Sequence, residues 1–204
     1  MKKHTPNHLF RRAFTLVELL VVIAIIAVLM SIAFPLYNSM TEGAKKTSAQ
    51  AAMTQLVLAC DNFFEEYQYL PMAMNNNAQD NEESTDNQFM PAILGLQVAV
   101  AENPKRLTFF KFQQAEGKGD AAYNGLVRTD NRAELLGPWR NKEKKDRHYR
   151  VVLNYDSDNQ LMVPNALGSE LLFDRRAIAY HKGKDGKVGA EYNDDNVTSW
   201  NQSD

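Results

Sequence analysis

Residues 14–34 read Phe-Thr-Leu-Val-Glu-Leu-Leu-Val-Val-Ile-Ala-Ile-Ile-Ala-Val-Leu-Met-Ser-Ile-Ala-Phe, and this stretch decides the fold. At about 1.5 Å rise per residue a helix of this length extends about 31 Å, close to the roughly 30 Å of a bilayer's hydrocarbon core. Apolar residues occupy every face, so this is no ordinary amphipathic surface helix. Lys2, Lys3, Arg11 and Arg12 precede it. Cations on that side predict a cytoplasmic N-terminus and a soluble part across the membrane. Glu18 is the one ionisable residue inside the run. A carboxylate there is costly unless it lies near the interface, is protonated or is paired, so it asks for a partner.

The residues around it, Arg11-Arg12-Ala13-Phe14-Thr15-Leu16-Val17-Glu18-Leu19-Leu20, resemble the type IV prepilin cleavage and methylation motif. The resemblance implies a peptidase cut between Ala13 and Phe14 and N-methylation of Phe14. It also implies an interaction of Glu18 with the amino terminus of a neighbouring subunit. The family usually places Gly before the cut, where this chain has Ala13. A buried carboxylate and a buried ammonium compensate each other only when subunits are in register, which would make Glu18 a registry device. A conventional secretory signal has a shorter apolar region, usually followed by a small-residue cleavage site. A plain membrane anchor is the other reading of the run. Pro35 either permits a kink in a continuing helix or marks the end of the span.

Four regions follow: a leader over 1–13, a transmembrane or filament-core helix over 14–34, the periplasmic half of that helix over 35–71, and a soluble head over 72–204. Met53, Leu56, Cys60, Phe63, Tyr67 and Leu70 step by three and four, one core-facing stripe along a helix, with Pro71 as its stop. Met74 to Gln88 lacks apolar periodicity and reads as an exposed loop. Pro91 to Ala101 suggests a short helix. Arg106–Phe112, Tyr149–Leu153, Gln160–Val163 and Ala177–Tyr180 have strand-like content. Asp156 to Asn159 reads as a hairpin turn. The fold class is α+β: in the resemblance, a pilin-like fold with its long N-terminal helix packed on a small antiparallel sheet and a C-terminal loop beyond.

Gly137-Pro138-Trp139-Arg140-Asn141 followed by Tyr149 is similar to a stretched Pro-Trp-Gly-Asn-x-Tyr segment of major pseudopilins, the type II secretion branch of this family. Gly183-Lys184-Asp185-Gly186 and Asp194-Asp195-Asn196-Val197-Thr198-Ser199-Trp200 resemble that branch's C-terminal motifs. There the loop binds calcium, so the resemblance implies Ca2+ held by the Lys182 carbonyl and by Asp185, Asp194, Asp195, Asn196 and Ser199. The assignment among Asp194, Asp195 and Asn196 is open. A tight turn with solvated tail charges is the alternative.

Formal charge is −2, and −6 once the four leading cations are removed, which argues against a nucleic-acid partner for the soluble part. Cys60 is the single cysteine, so no intramolecular disulfide can form. There is no Gly-x-Ser-x-Gly, phosphate-binding Gly-rich loop, His-Glu-x-x-His or CxxC. His148 and His181 read as exposed or core-edge residues. We therefore expect no enzyme but a pseudopilin: an inner-membrane protein with a periplasmic head, matured by prepilin peptidase. It would self-assemble, alone or with other pilin-like subunits, on an inner-membrane platform to support type II secretion. A type IV pilus subunit and a membrane-anchored ligand-binding module are the alternatives.

Overall fold

The computed structural model describes residues 15–73, 81–156, 158, 160–164, 167–168, 171–189 and 196–200. It divides into two units, 1–43 and 44–204. The described part of the first is a single element, the start of helix α1 (Leu16–Tyr67). Its apolar side chains are exposed on all sides, from Leu16 at 86% to Val22 at 45%, and it is long and apolar enough to cross a membrane. Pro35 lies inside α1, so the helix continues through it. The helix thus runs on past Pro35 into the 35–71 half expected for it, since Pro costs one backbone donor but need not stop a long helix.

The second unit is α+β. Strand β1 (Asn81–Ser84) is followed by helix α2 (Phe89–Leu94), then by β2 (Gly125–Arg128), β3 (Ala133–Leu136), β4 (Arg150–Leu153), β5 (Gln160–Met162), β6 (Leu171–Phe173), β7 (Ala177–His181) and β8 (Val197–Thr198). The main sheet is antiparallel in the order β1-β4-β7-β8, with β2-β3 and β5-β6 as separate two-stranded sheets. Met53, Leu56, Cys60 and Phe63 are fully buried, and Leu70 nearly so, in one core with Tyr149, Val151 and Leu153 of the sheet side. The three-and-four stripe thus faces the core as its spacing predicts. Burial pushes the Cys60 thiol well above its ordinary range, which fits a packing residue rather than a reactive one.

Helix α1 ends at Tyr67, ahead of Pro71. Gln68 takes a left-handed φ of 61° and its N–H returns to the Phe64 carbonyl. Asn103 ties the helix end to its surroundings. Its Oδ1 accepts from the Tyr67 hydroxyl at 2.5 Å and from Leu107 N, while its Nδ2 donates to the Ala92 and Leu107 carbonyls. A buried amide so fully satisfied fixes one arrangement of the chain around it.

Several expected elements differ. Residues 74–80 of the expected loop lie outside the described residues, and its later part contains β1, whose four residues are all polar, as suits the edge of a sheet. Arg106–Phe112 forms no strand: Arg106 sits at φ 55° and the segment is fastened by side-chain bonds and by Phe109 N to the Ile93 carbonyl. The hairpin expected around Asp156 to Asn159 does not form, since β4 pairs with β1 and β7 whereas β5 pairs with β6; Ser157 and Asn159 lie outside the described residues. The short helix expected over Pro91 to Ala101 is corrected to Phe89–Leu94: Gly95 at φ 64° closes it, and Pro91 sits in its first turn, where no intrahelical N–H is needed.

Candidate functional site

At the N-terminal end, Ala13 and Phe14 lie outside the described residues. The first residues beyond them form a reciprocal pair. Thr15 donates its backbone N–H and its hydroxyl to Glu18 Oε2, both at 2.9 Å, and Thr15 Oγ1 accepts from Glu18 N at 3.2 Å. Because α1 begins at Leu16, Thr15 is the N-cap and Glu18 the third helical residue, which is the capping-box arrangement. The carboxylate therefore lies at the start of the helix, beside the peptide that follows Phe14, and not deep within the span.

Residues 10–34 match the prokaryotic N-terminal methylation motif. This is the signal of type IV pilin-like prepilins, and it supports the pilin-like resemblance for this chain. The methylation motif covers the Arg11-Arg12 pair, Phe14, Glu18 and the apolar run together. No curated protein and no solved structure matches the chain.

The second candidate region is the C-terminal loop after β7. Lys182 and Asp185 fall on either side of Gly183, whose φ of 68° makes the turn, and Gly186 at 72° closes it. Asp185 Oδ1 accepts from Lys187 N at 2.8 Å. The ladder register pairs His181 with Val197, so continuing it by one residue sets Asn196 opposite Lys182. Ser199 lies further along: its Oγ accepts from Ala179 N and its N–H donates to the Ala179 carbonyl, extending the β7-β8 ladder. Three strand positions separate that level from Lys182, about 10 Å. Asp194 and Asp195 are outside the described residues. Lys182, Asp185 and Asn196 are thus brought to one end of the β7-β8 pair, and Ser199 is not. A backbone carbonyl, a carboxylate and an amide oxygen are hard donors of the kind calcium takes. Among the described residues no three His, Cys, Asp or Glu side chains gather as a metal cluster.

The loop is also held by the stretch that carries the Gly-Pro-Trp resemblance. Asn141 Nδ2 donates to the Gly183 carbonyl at 3.2 Å and to the Asp146 carbonyl at 3.0 Å, and Lys182 Nζ meets Asp146 Oδ1 at 3.1 Å. His181 lies between them, with its ring centroid 5.1 Å from Trp139 and 5.0 Å from Tyr149. His181 Nδ1 accepts from Gly183 N, so its Nε2 donates to the Arg147 carbonyl at 3.1 Å. Burial lowers the His181 pKa to about 4. The expectation of an exposed or core-edge His181 is corrected to a fully buried one, and His148 is buried too. His181 points inward because every residue of β7 is buried, as in a sheet covered on both faces, whereas His148 precedes β4 and is buried against the Glu134 carboxylate.

Sequence reading missed this convergence. Trp139 and Gly183 are far apart in the chain, and their segments meet through the β4-β7 pairing and the contacts of Asn141, Asp146 and His181. It also missed Glu134, whose carboxylate joins His148 Nε2 at 3.3 Å, Lys144 Nζ at 2.8 Å and Asn87 Nδ2 at 2.9 Å. Principally the His148 hydrogen bond, with Lys144 beside it, lowers its pKa to about 2.

Proposed function

We propose that this chain is a pseudopilin, a filament subunit of a type II secretion-type system. It is cut before Phe14, methylated there, and assembled through α1. The observation that carries the reading is the methylation motif over residues 10–34, ending on a helix long enough to span a bilayer. The cations ahead of Phe14 orient the leader toward the cytoplasm and the head toward the periplasm. Prepilin peptidase, an inner-membrane assembly platform and other pilin-like subunits are its partners, and its role is assembly rather than catalysis.

Support for the pseudopilin branch comes from the Asn141 bridge, because the two stretches resembling that branch meet at one side chain. We propose further that calcium binds the C-terminal loop through the Lys182 carbonyl, Asp185 and Asn196, with a second carboxylate from Asp194 or Asp195. Bound there, the ion would neutralise loop carboxylates and fix a turn that no disulfide restrains.

Removing the gene from its host separates the branches. Secreted proteins accumulating in the periplasm, with surface fibres intact, is the expected result. Loss of surface fibres with secretion unchanged would assign the chain to a pilus instead. Calcium is tested by melting the protein with saturating calcium and again after chelation, and an unchanged Tm would remove the ion from the account.

A further inference from the structure

Arg106 and Arg128 come from separate stretches of sequence and line one surface cleft of about 480 Å3, with Thr129, Asp130 and Asn131 on its wall. Among the described residues neither guanidinium takes part in an ion pair. Both are presented by fastened backbone. Arg106 N donates to the Asn103 carbonyl and Leu107 N to Asn103 Oδ1, each at 3.0 Å, so Asn103 grips the loop on both sides of Arg106. Gly95 at φ 64° lets that loop pass so close that a Cβ there would lie 2.5 Å from the Arg106 carbonyl. On the other side, Arg128 ends β2, and Thr129 N closes the turn onto the Arg132 carbonyl at 2.8 Å. Two cations held on rigid backbone lose little freedom on meeting an anion, which favours recognition of a pair of carboxylates.

The complement lies on the same chain. Asp156 and Asp158, both exposed, stand two residues apart on the connection from β4 to β5, and among the described residues neither is in an ion pair. Asp158 Oδ1 accepts from Gln160 N at 2.8 Å, which ties Asp158 to the start of β5. We propose that the Arg106–Arg128 cleft of one copy receives the Asp156 and Asp158 carboxylates of a second copy. The proposal rests on the filament reading. A contact between two different patches is head-to-tail and propagates, as a filament requires. Mature copies of charge −6 repel one another in general, so the apposition of opposite patches selects one approach among many.

The test uses the full chain in its native membrane, with a photocrosslinking amino acid replacing Thr129. The expected product is a covalent dimer of this chain whose adduct maps to the peptide containing Asp156 and Asp158. R106E/R128E and D156K/D158K, each melting like the parent, should each reduce it roughly five- to tenfold. The four substitutions combined should restore it. An adduct elsewhere in a second copy, in a different protein or in lipid, or no adduct, would overturn the proposal, as would failure of the combined variant to recover. The N-terminus is read in the same sample. Methylated Phe14 without the adduct rejects the cleft alone, whereas an uncut Met1 rejects the filament reading beneath it.

Discussion

Thr15 and Glu18 hold each other across the first turn of α1, each side chain accepting from the other's backbone N–H. In a single copy the carboxylate is thereby satisfied at the helix start, which resolves how a charged residue is carried at the head of an apolar run. In the proposed filament the same carboxylate would also serve the amino group of a neighbouring cut chain, so capping and registry would compete for it.

These roles separate by mutation. Thr15→Ala removes the cap and keeps the carboxylate, and should cost only about 1 kcal/mol of helix stability with filaments still formed. Glu18→Ala should insert into the membrane normally yet fail to assemble. Filament yield by electron microscopy beside membrane fractionation checks both, and normal filaments from Glu18→Ala would contradict the registry role.

Gly137 is a packing position. A Cβ there would lie 2.1 Å from His181 Nε2, and that ring is fixed by Gly183 N and the Arg147 carbonyl. Gly137→Ala should therefore destabilise the head by about 1–3 kcal/mol, visible as a lower Tm, because neither the ring nor its partners can yield. Loss should be greatest in probes of the C-terminal loop, such as Trp200 fluorescence.

Glu134 sets an acid limit on stability. Its folded pKa of about 2 lies below the ordinary value of 4.5, so the folded state favours the ionised form. The stabilisation is complete above about pH 4.5 and is lost as pH falls toward 2. Its size is about 3 kcal/mol by linkage. Glu134→Gln should lower stability near neutral pH and flatten this part of the pH profile, measured by denaturant unfolding. An unaltered profile would show that the buried pair with His148 carries no such weight.

Asp185→Ala addresses the proposed ion. In calcium the variant should melt below the parent, and after chelation the two should converge. Equal Tm in calcium would refute Asp185 as a ligand.

The N-terminal helix was legible because its signals are local: an apolar run, preceding cations and one carboxylate at a fixed spacing. The buried stripe from Met53 to Phe63 was legible for the same reason. β2, β3 and β6 went unread, since short strands such as Gly125–Arg128 gain their pairing from a partner strand and not from their own pattern. β1 was hidden by polar residues suited to an edge. Thr15's cap is written in the Thr-x-x-Glu spacing, which in an apolar run equally fits a carboxylate that meets its partner in another subunit. The Asn141 to Gly183 contact depends wholly on long-range pairing, which no local reading supplies.

Maturation at Phe14 for assembly is what the proposed function requires. Intact mass and N-terminal sequencing of the protein taken from its native membrane measure that directly. The expected product is a chain shortened by residues 1–13 that begins with N-methylated Phe14. A chain still beginning at Met1, or one cut within or after the apolar run, would contradict it.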